Sequence, residues 1–413
     1  MRTQMFSTPI ELDGPAVPIY TPEFAADPHA AYREMRRTYG SLVPVEIQPG
    51  MPATLVIGYR EALEILNDHE HFSSDPRTWQ AKLAPGTPVS HIMQFRPCAL
   101  RLSGSEHTRL RQVYTDSLSR VDLYGLHTAV ERTATGLINS FCETGSAELV
   151  SGFSVPLSFQ LVNHMLGFSL ETGQRLLGAI GGIRVAPDAE AAEAANQSLI
   201  TILLEELDAK RGAPADDVTS WMMAHPAGLA DLEVAHQVVM LFGSGVEPMS
   251  DLIINSLVLL VTDPRFADSL LGGALSIKDA IEEVLFTDPP LANFCIRYPR
   301  QPQLVGKVWL PANQPVIVSS AAVSGDPAIV GMGTGDRSGN RSHLAWGAGP
   351  HVCPAQDPSF VIGHYALEQL LDALPEIELA QRVDELSWRV GGYNRALDAL
   401  PVRFPPTPPI PLP

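Results

Sequence analysis

The segment richest in chemistry is Ala345-Trp346-Gly347-Ala348-Gly349-Pro350-His351-Val352-Cys353-Pro354-Ala355. One cysteine stands in a glycine-rich loop just ahead of a helical pattern. Glycines let backbone approach a flat ligand, and amides at a helix start stabilise a thiolate. A lone cysteine before a helix is more often inert, so its flanks must decide. A second candidate is His107 with Arg111, spaced i,i+4 on one helical face. Two donors one turn apart suit carboxylates; without a partner site they would be a surface pair. A third is the defect Gly243-Ser244-Gly245 followed by Pro248, inside the longest apolar helical pattern, about Leu232 to Thr262. Glycine weakens a helix and proline removes a donor, so a kink is expected there. Either something inserts at the kink or it is a simple bend.

The flanks of Cys353 resemble the haem-ligand loop of the cytochrome P-450 family: aromatic, Gly, any, Gly, any, His, any, Cys. Trp346, Gly347, Gly349, His351 and Cys353 match it, while the usual glycine two places later is Ala355. The resemblance extends to about Phe404. It implies haem b (iron protoporphyrin IX) with Cys353 as the iron ligand, and propionate contacts from His107, Arg111, Arg297 and His351. It also implies that the long helix is the family's oxygen-binding helix, and that Val239, Ser244, Val246, Leu291, Ala292, Phe294, Tyr393 and Asn394 line a substrate pocket. The loop of about Trp79 to Phe95 would line it too.

Two departures stand out. The family usually reads Gly, any, acid, Thr in the central helix; here it is Gly245-Val246-Glu247-Pro248, with Met249 and Ser250 next. The acid survives and the alcohol is gone. Proton delivery then falls to Glu247 and water at the groove that Gly245 and Pro248 open, since Ser250 is two places on and points elsewhere. The family's Glu, two residues, Arg reads Glu283-Val284-Leu285-Phe286. An unpaired buried carboxylate costs roughly 3–5 kcal/mol, so either Glu283 stays protonated or, the favoured outcome, Arg337 or Arg341 from the following loop reaches it.

These residues need elements to carry them. The pattern predicts helices at Pro28–Arg37, Arg60–Asn67, His107–Ser119, Leu126–Glu143, Ala191–Lys210, Ile277–Phe286 and Ser359–Leu374. The helix over Ala191–Lys210 carries Leu199, Ile202, Leu203 and Leu207 at helical spacing. Strand-like runs occur at Ala53–Ile57, Asn293–Arg297, Leu304–Leu310 and Val316–Ser319. A long loop spans Ser324–Ala348, and such loops are usually functional. Its Gly331-Met332-Gly333-Thr334-Gly335 is like a nucleotide loop without the strand–helix context that would support one. The expected fold is mainly α with small β-sheets: one haem domain over 1–404, haem between the central helix and the cysteine loop, and a proline-rich tail over 405–413.

Composition narrows the function. Net charge is −18 with 45% hydrophobic and 18% charged residues, so the chain can fill a core and lacks the basic face that nucleic acid or an anionic membrane requires. Four cysteines without a CxxC pair support neither a zinc ribbon nor a disulfide framework. No apolar signal core opens the chain, which suits a soluble cytoplasmic protein. The resemblance implies a monooxygenase or oxidative-coupling enzyme that tailors a small, aromatic-containing secondary metabolite such as a cyclodipeptide or indole. It would use dioxygen and electrons from ferredoxin and ferredoxin reductase. Arg109, Arg111 and Arg120 near one helix would suit an acidic redox partner. The competing class is a haem-free partner protein that activates another enzyme. Such members typically lose the cysteine, which is present here.

Overall fold

The computed structural model describes residues 15–84, 87, 89, 92–184, 186, 188–267, 275–330 and 340–412. They form two compact units, neither continuous in sequence.

The first unit draws on residues up to 83, 291–352 and 389–395 and is built on a six-stranded sheet. Its order is Val17–Pro18, Leu42–Gln48, Met51–Val56, Val316–Ser319, Asn293–Pro299, Phe72–Ser73. The second and third strands form a hairpin, closed by Pro49-Gly50 with Gly50 at φ +73°. Val316–Ser319 lies in the middle, parallel to one neighbour and antiparallel to the other, and all four residues are buried. That placement explains its unbroken apolar run. Helices Pro28–Tyr39 and Tyr59–Asn67 belong to this unit, the first capped by Asp27, whose Oδ1 accepts from the Ala30 amide at 2.9 Å. Leu42, Val56, Ile65, Leu66, Phe72 and Val318 share its core.

The second unit is helical and packs on one helix, Asp231–Thr262. Thirty-two residues at 1.5 Å each give about 48 Å of axis. Helices Val155–Leu166, Ala189–Gly212, Ile277–Thr287 and Gln356–Ala373 all touch it. Its apolar window is long enough to cross a membrane, but 67% of that window is buried in the fold, as in a core helix. Leu199, Ile202, Leu203 and Leu207 bury the predicted stripe of the Ala189–Gly212 helix. A three-stranded antiparallel sheet, Glu378–Leu379, Pro401–Arg403, Ser146–Glu148, completes the unit. Residues 405–412 carry no helix or strand, as the prolines require. They are tied down by Asn139, which exchanges two hydrogen bonds of 2.8 Å with the Ile410 backbone.

Several expectations change. The central helix runs unbroken through its glycines and proline, with Pro248 inside it. Leu304–Leu310 is a hairpin, Gln303–Val305 with Val308–Leu310, turning at Gly306 with φ +58°. The helix expected to reach Glu143 ends at Ile138. Helices Val155–Leu166 and Leu170–Arg184 and strand Leu42–Gln48 were not foreseen. The nucleotide-like Gly331–Gly335 and the candidate Arg337 lie outside the described residues.

Candidate functional site

In the helical unit, Cys353 precedes the helix Gln356–Ala373, and its carbonyl accepts from Gln356 Nε2 at 3.0 Å. It is half-buried, as are its neighbours from Trp346 to Gln356. Among the described residues no three His, Cys, Asp or Glu side chains gather as a metal-binding group.

One helix carries charge toward Cys353. The helix Gly104–Leu118 buries Leu110 and Val113 and presents His107, itself buried, and Arg111 one turn on. Burial lowers the Arg111 pKa, and the neighbouring Cys353 opposes that shift. Three residues further on is Tyr114, which sequence reasoning missed. Its phenol is buried and pushed up in pKa, first by desolvation and then by Cys353, and the Ser244 side chain is its hydrogen-bonding neighbour. The i+3 spacing from Arg111 was the available signal.

Ser244 belongs to the defect of the central helix. Gly243 and Ser244 are exposed in the middle of a buried helix, while Gly245, Glu247 and Pro248 are half-buried. The Ser244 hydroxyl donates to its own helix at Met240 O, 2.6 Å away. Pro248 has no amide hydrogen, so the bond expected at the Ser244 carbonyl cannot form. The defect thus bares a face of the helix at Gly243 and Ser244. Gly245 serves packing as well: a Cβ there would lie 3.2 Å from Val162 Cγ2. Val239 and Val246 flank the bared face at 9% exposure, in the same core cluster as Tyr114, and Ala355 packs against that cluster. Cys353, Tyr114 and the Ser244 face therefore occupy one region of the helical unit.

Ser250 turns the other way. It is buried, with Oγ 2.7 Å from Ser154 Oγ.

The sheet unit holds the remaining candidates. Arg297 is 5% exposed on strand Asn293–Pro299. His351 Nε2 lies 3.1 Å from Ser74 Oγ. Gly347 and Gly349, at φ +72° and +67°, shape the loop after Trp346, and Gly349 approaches the Leu66 carbonyl too closely for any side chain. Leu291, Ala292, Phe294, Tyr393 and Asn394 gather around Asn293, whose amide donates to Tyr393 O at 3.0 Å and whose side chain bonds Tyr32 and Gly392 O. Positions 85, 86, 88, 90 and 91 of the Trp79–Phe95 loop lie outside the described residues.

Among the described residues, Glu283 has a cation beside it that the sequence did not point to. Arg265, just after the central helix, places Nη2 3.7 Å from Glu283 Oε1. Phe286 is 3% exposed and fills core. Of the basic cluster, Arg109 is bound to Glu233, and Arg120 lies 4.5 Å over the Trp221 ring. These contacts hold two of the three arginines in structural roles.

No family model matches the chain. It is 26% identical over 394 residues to 2-hydroxy-5-methyl-1-naphthoate 7-hydroxylase of Streptomyces carzinostaticus, covering 92% of this chain and 95% of that one. It is 27% identical over 397 residues to the cytochrome P450 monooxygenase PikC of Streptomyces venezuelae, covering 92% of each. Among solved structures, the cytochrome P450 enzyme CxnD, for C-S bond formation in chuangxinmycin biosynthesis, superposes with a TM-score of 0.81 at 23% identity, over 96% of this chain and 99% of that one.

Proposed function

We propose, from the premise that the chain is a member of the cytochrome P450 family and an oxidoreductase of that kind, that it hydroxylates a small aromatic-containing secondary metabolite. The observation that carries this reading is Tyr114, a neighbour of both Cys353 and Ser244. Through it the thiol and the bared helix face belong to one site.

The residues fit haem b. Cys353 supplies a single thiolate, Arg111 a cation beside it, and Gly243 a stretch of helix surface without a side chain. When bound, the haem supplies dioxygen activation and oxidation of the substrate, which a thiolate ligand favours. His107, Arg111, Arg297 and His351 are the residues that the family resemblance assigns to the propionates. Val239 and Val246 keep water off the substrate. Glu247, half-buried on the same face, takes up and releases the proton at its carboxylate by way of water, in place of the missing alcohol. Residues 1–404 form the haem-binding domain and 405–413 a tail. Electrons come from ferredoxin and its reductase. The enzyme works in the cytoplasm, where its four free cysteines stay reduced.

Oxidative coupling is the second reading, favoured by Pro248 in the place of the alcohol. The structurally similar CxnD is a cytochrome P450 enzyme for C–S bond formation. Incubation with a ferredoxin system, NADPH, labelled dioxygen and a panel of aromatic substrates separates the two. Hydroxylation gives a product carrying one labelled oxygen; coupling gives an unlabelled, dehydrogenated one. Failure of the haem-loaded protein to consume NADPH with any panel member would count against both.

A further inference from the structure

The accessible stripe of the central helix does not end at Ser244. His236, Met240, Gly243, Ser244 and Glu247 fall on one side of the helix, and each is half-buried or exposed. At its N-terminal end the stripe meets an arginine. Arg96 places Nη1 3.2 Å from His236 Nδ1, and its Nη2 donates to Asn196 Oδ1 at 2.8 Å. Asn196 comes from the helix Ala189–Gly212, so two helices of the helical unit fix one guanidinium.

Those partners are neutral. Asn196 is an amide. Burial, then the adjacent Arg96 charge, pushes His236 down to about 4, so the ring is an uncharged acceptor near neutral pH. Cys98 is also nearby, and burial raises its thiol pKa. Among the described residues no carboxylate lies within 4.0 Å of Arg96; Glu193, the acid that acts on it through space, is bonded by Gln197. A guanidinium has five N–H groups, and these contacts use two. Burial has already lowered the Arg96 pKa. A partly desolvated cation, rigidly held and without a contacting anion, is an incomplete site that a carboxylate completes bidentately.

We propose that Arg96, positioned by His236 and Asn196, is the recognition point for a carboxylate on the substrate. This deepens the hydroxylase reading and rests on it. His236 and Ser244 are eight residues apart, about 12 Å along the axis. The substrate class is therefore a monocarboxylic acid with an apolar body that extends from Arg96 along the bared face toward Ser244. Arg96 is a positioning residue and touches no reacting atom.

The test is calorimetric titration of haem-loaded wild type with ω-phenylalkanoic acids from phenylbutanoic to phenyldecanoic, each paired with its methyl ester. At least one acid should bind about ten- to a hundredfold more tightly than its ester, because the ester removes a charge-assisted pair. In Arg96→Gln the difference should shrink to about twofold, and Arg96→Lys should restore part of it, having charge without the planar fork. Haem content and the reduced carbon monoxide spectrum should be unchanged in both variants. Equal affinity of acids and esters, or no binding of any acid to haem-loaded wild type, overturns the subsite and leaves the hydroxylase reading standing. Loss of haem in Arg96→Gln would show that the carboxylate Arg96 serves belongs to the cofactor, which also overturns it. Absence of a thiolate-type spectrum in the wild type would instead overturn the parent reading.

Discussion

The Ser250 hydroxyl lies 2.7 Å from the Ser154 hydroxyl, and both side chains are buried. This pair closes the alcohol just beyond Pro248 into the contact between the central helix and the segment that enters helix Val155–Leu166. Glu247, by contrast, stays half-buried on the bared side.

Ser250→Ala should therefore cost stability and not catalysis. Loss of one buried hydrogen bond lowers unfolding free energy by about 1–2 kcal/mol. Product formation per electron should stay within about twofold, whereas Glu247→Gln should reduce it about tenfold or more. A steep loss of coupling in Ser250→Ala alone would move proton delivery to the serine.

Phe286→Arg should not repair the missing family arginine. Phe286 is buried and Glu283 already has Arg265 within 3.7 Å. The change removes aromatic burial and adds a second cation, lowering stability by about 2–4 kcal/mol with haem retained. A higher melting temperature in this variant would show that Glu283 lacks adequate compensation.

Gly349→Ala should disturb the cysteine loop far more than Gly347→Ala. Both glycines have positive φ, but a Cβ on Gly349 would stand 2.3 Å from the Leu66 carbonyl oxygen, while at Gly347 the nearest atom is Cys295 Sγ at 3.5 Å. The second change costs about 1 kcal/mol of backbone strain. The first must also shift the loop, and haem retention after gel filtration should fall. Equal haem retention in the two variants would separate the loop geometry from cofactor binding.

The helices that carry the site were legible because they bury a stripe: Leu199, Ile202, Leu203 and Leu207 announce one helix, and the run around Val239 and Val246 another. Leu170–Arg184 was missed because four glycines and few apolar anchors weaken its signal. The hairpin at Gly306 was merged into one strand because its two arms are only three residues long. Within the site, Cys353 and the His107–Arg111 pair were readable from type and spacing. Arg96, Tyr114 and Arg265 were not. Their roles come from partners at Asn196 and His236, at Ser244, and at Glu283, and no local pattern encodes such long-range contacts.

The central claim is that Cys353 carries the iron of a haem. The direct measurement is the reduced, carbon monoxide-bound absorption spectrum of purified wild type beside Cys353→Ala. The wild type should show the red-shifted Soret band of a thiolate-ligated haem, and the variant should lose it while keeping the far-ultraviolet circular dichroism of a folded helical protein. A wild type without that band, or a variant that retains it, would contradict the account.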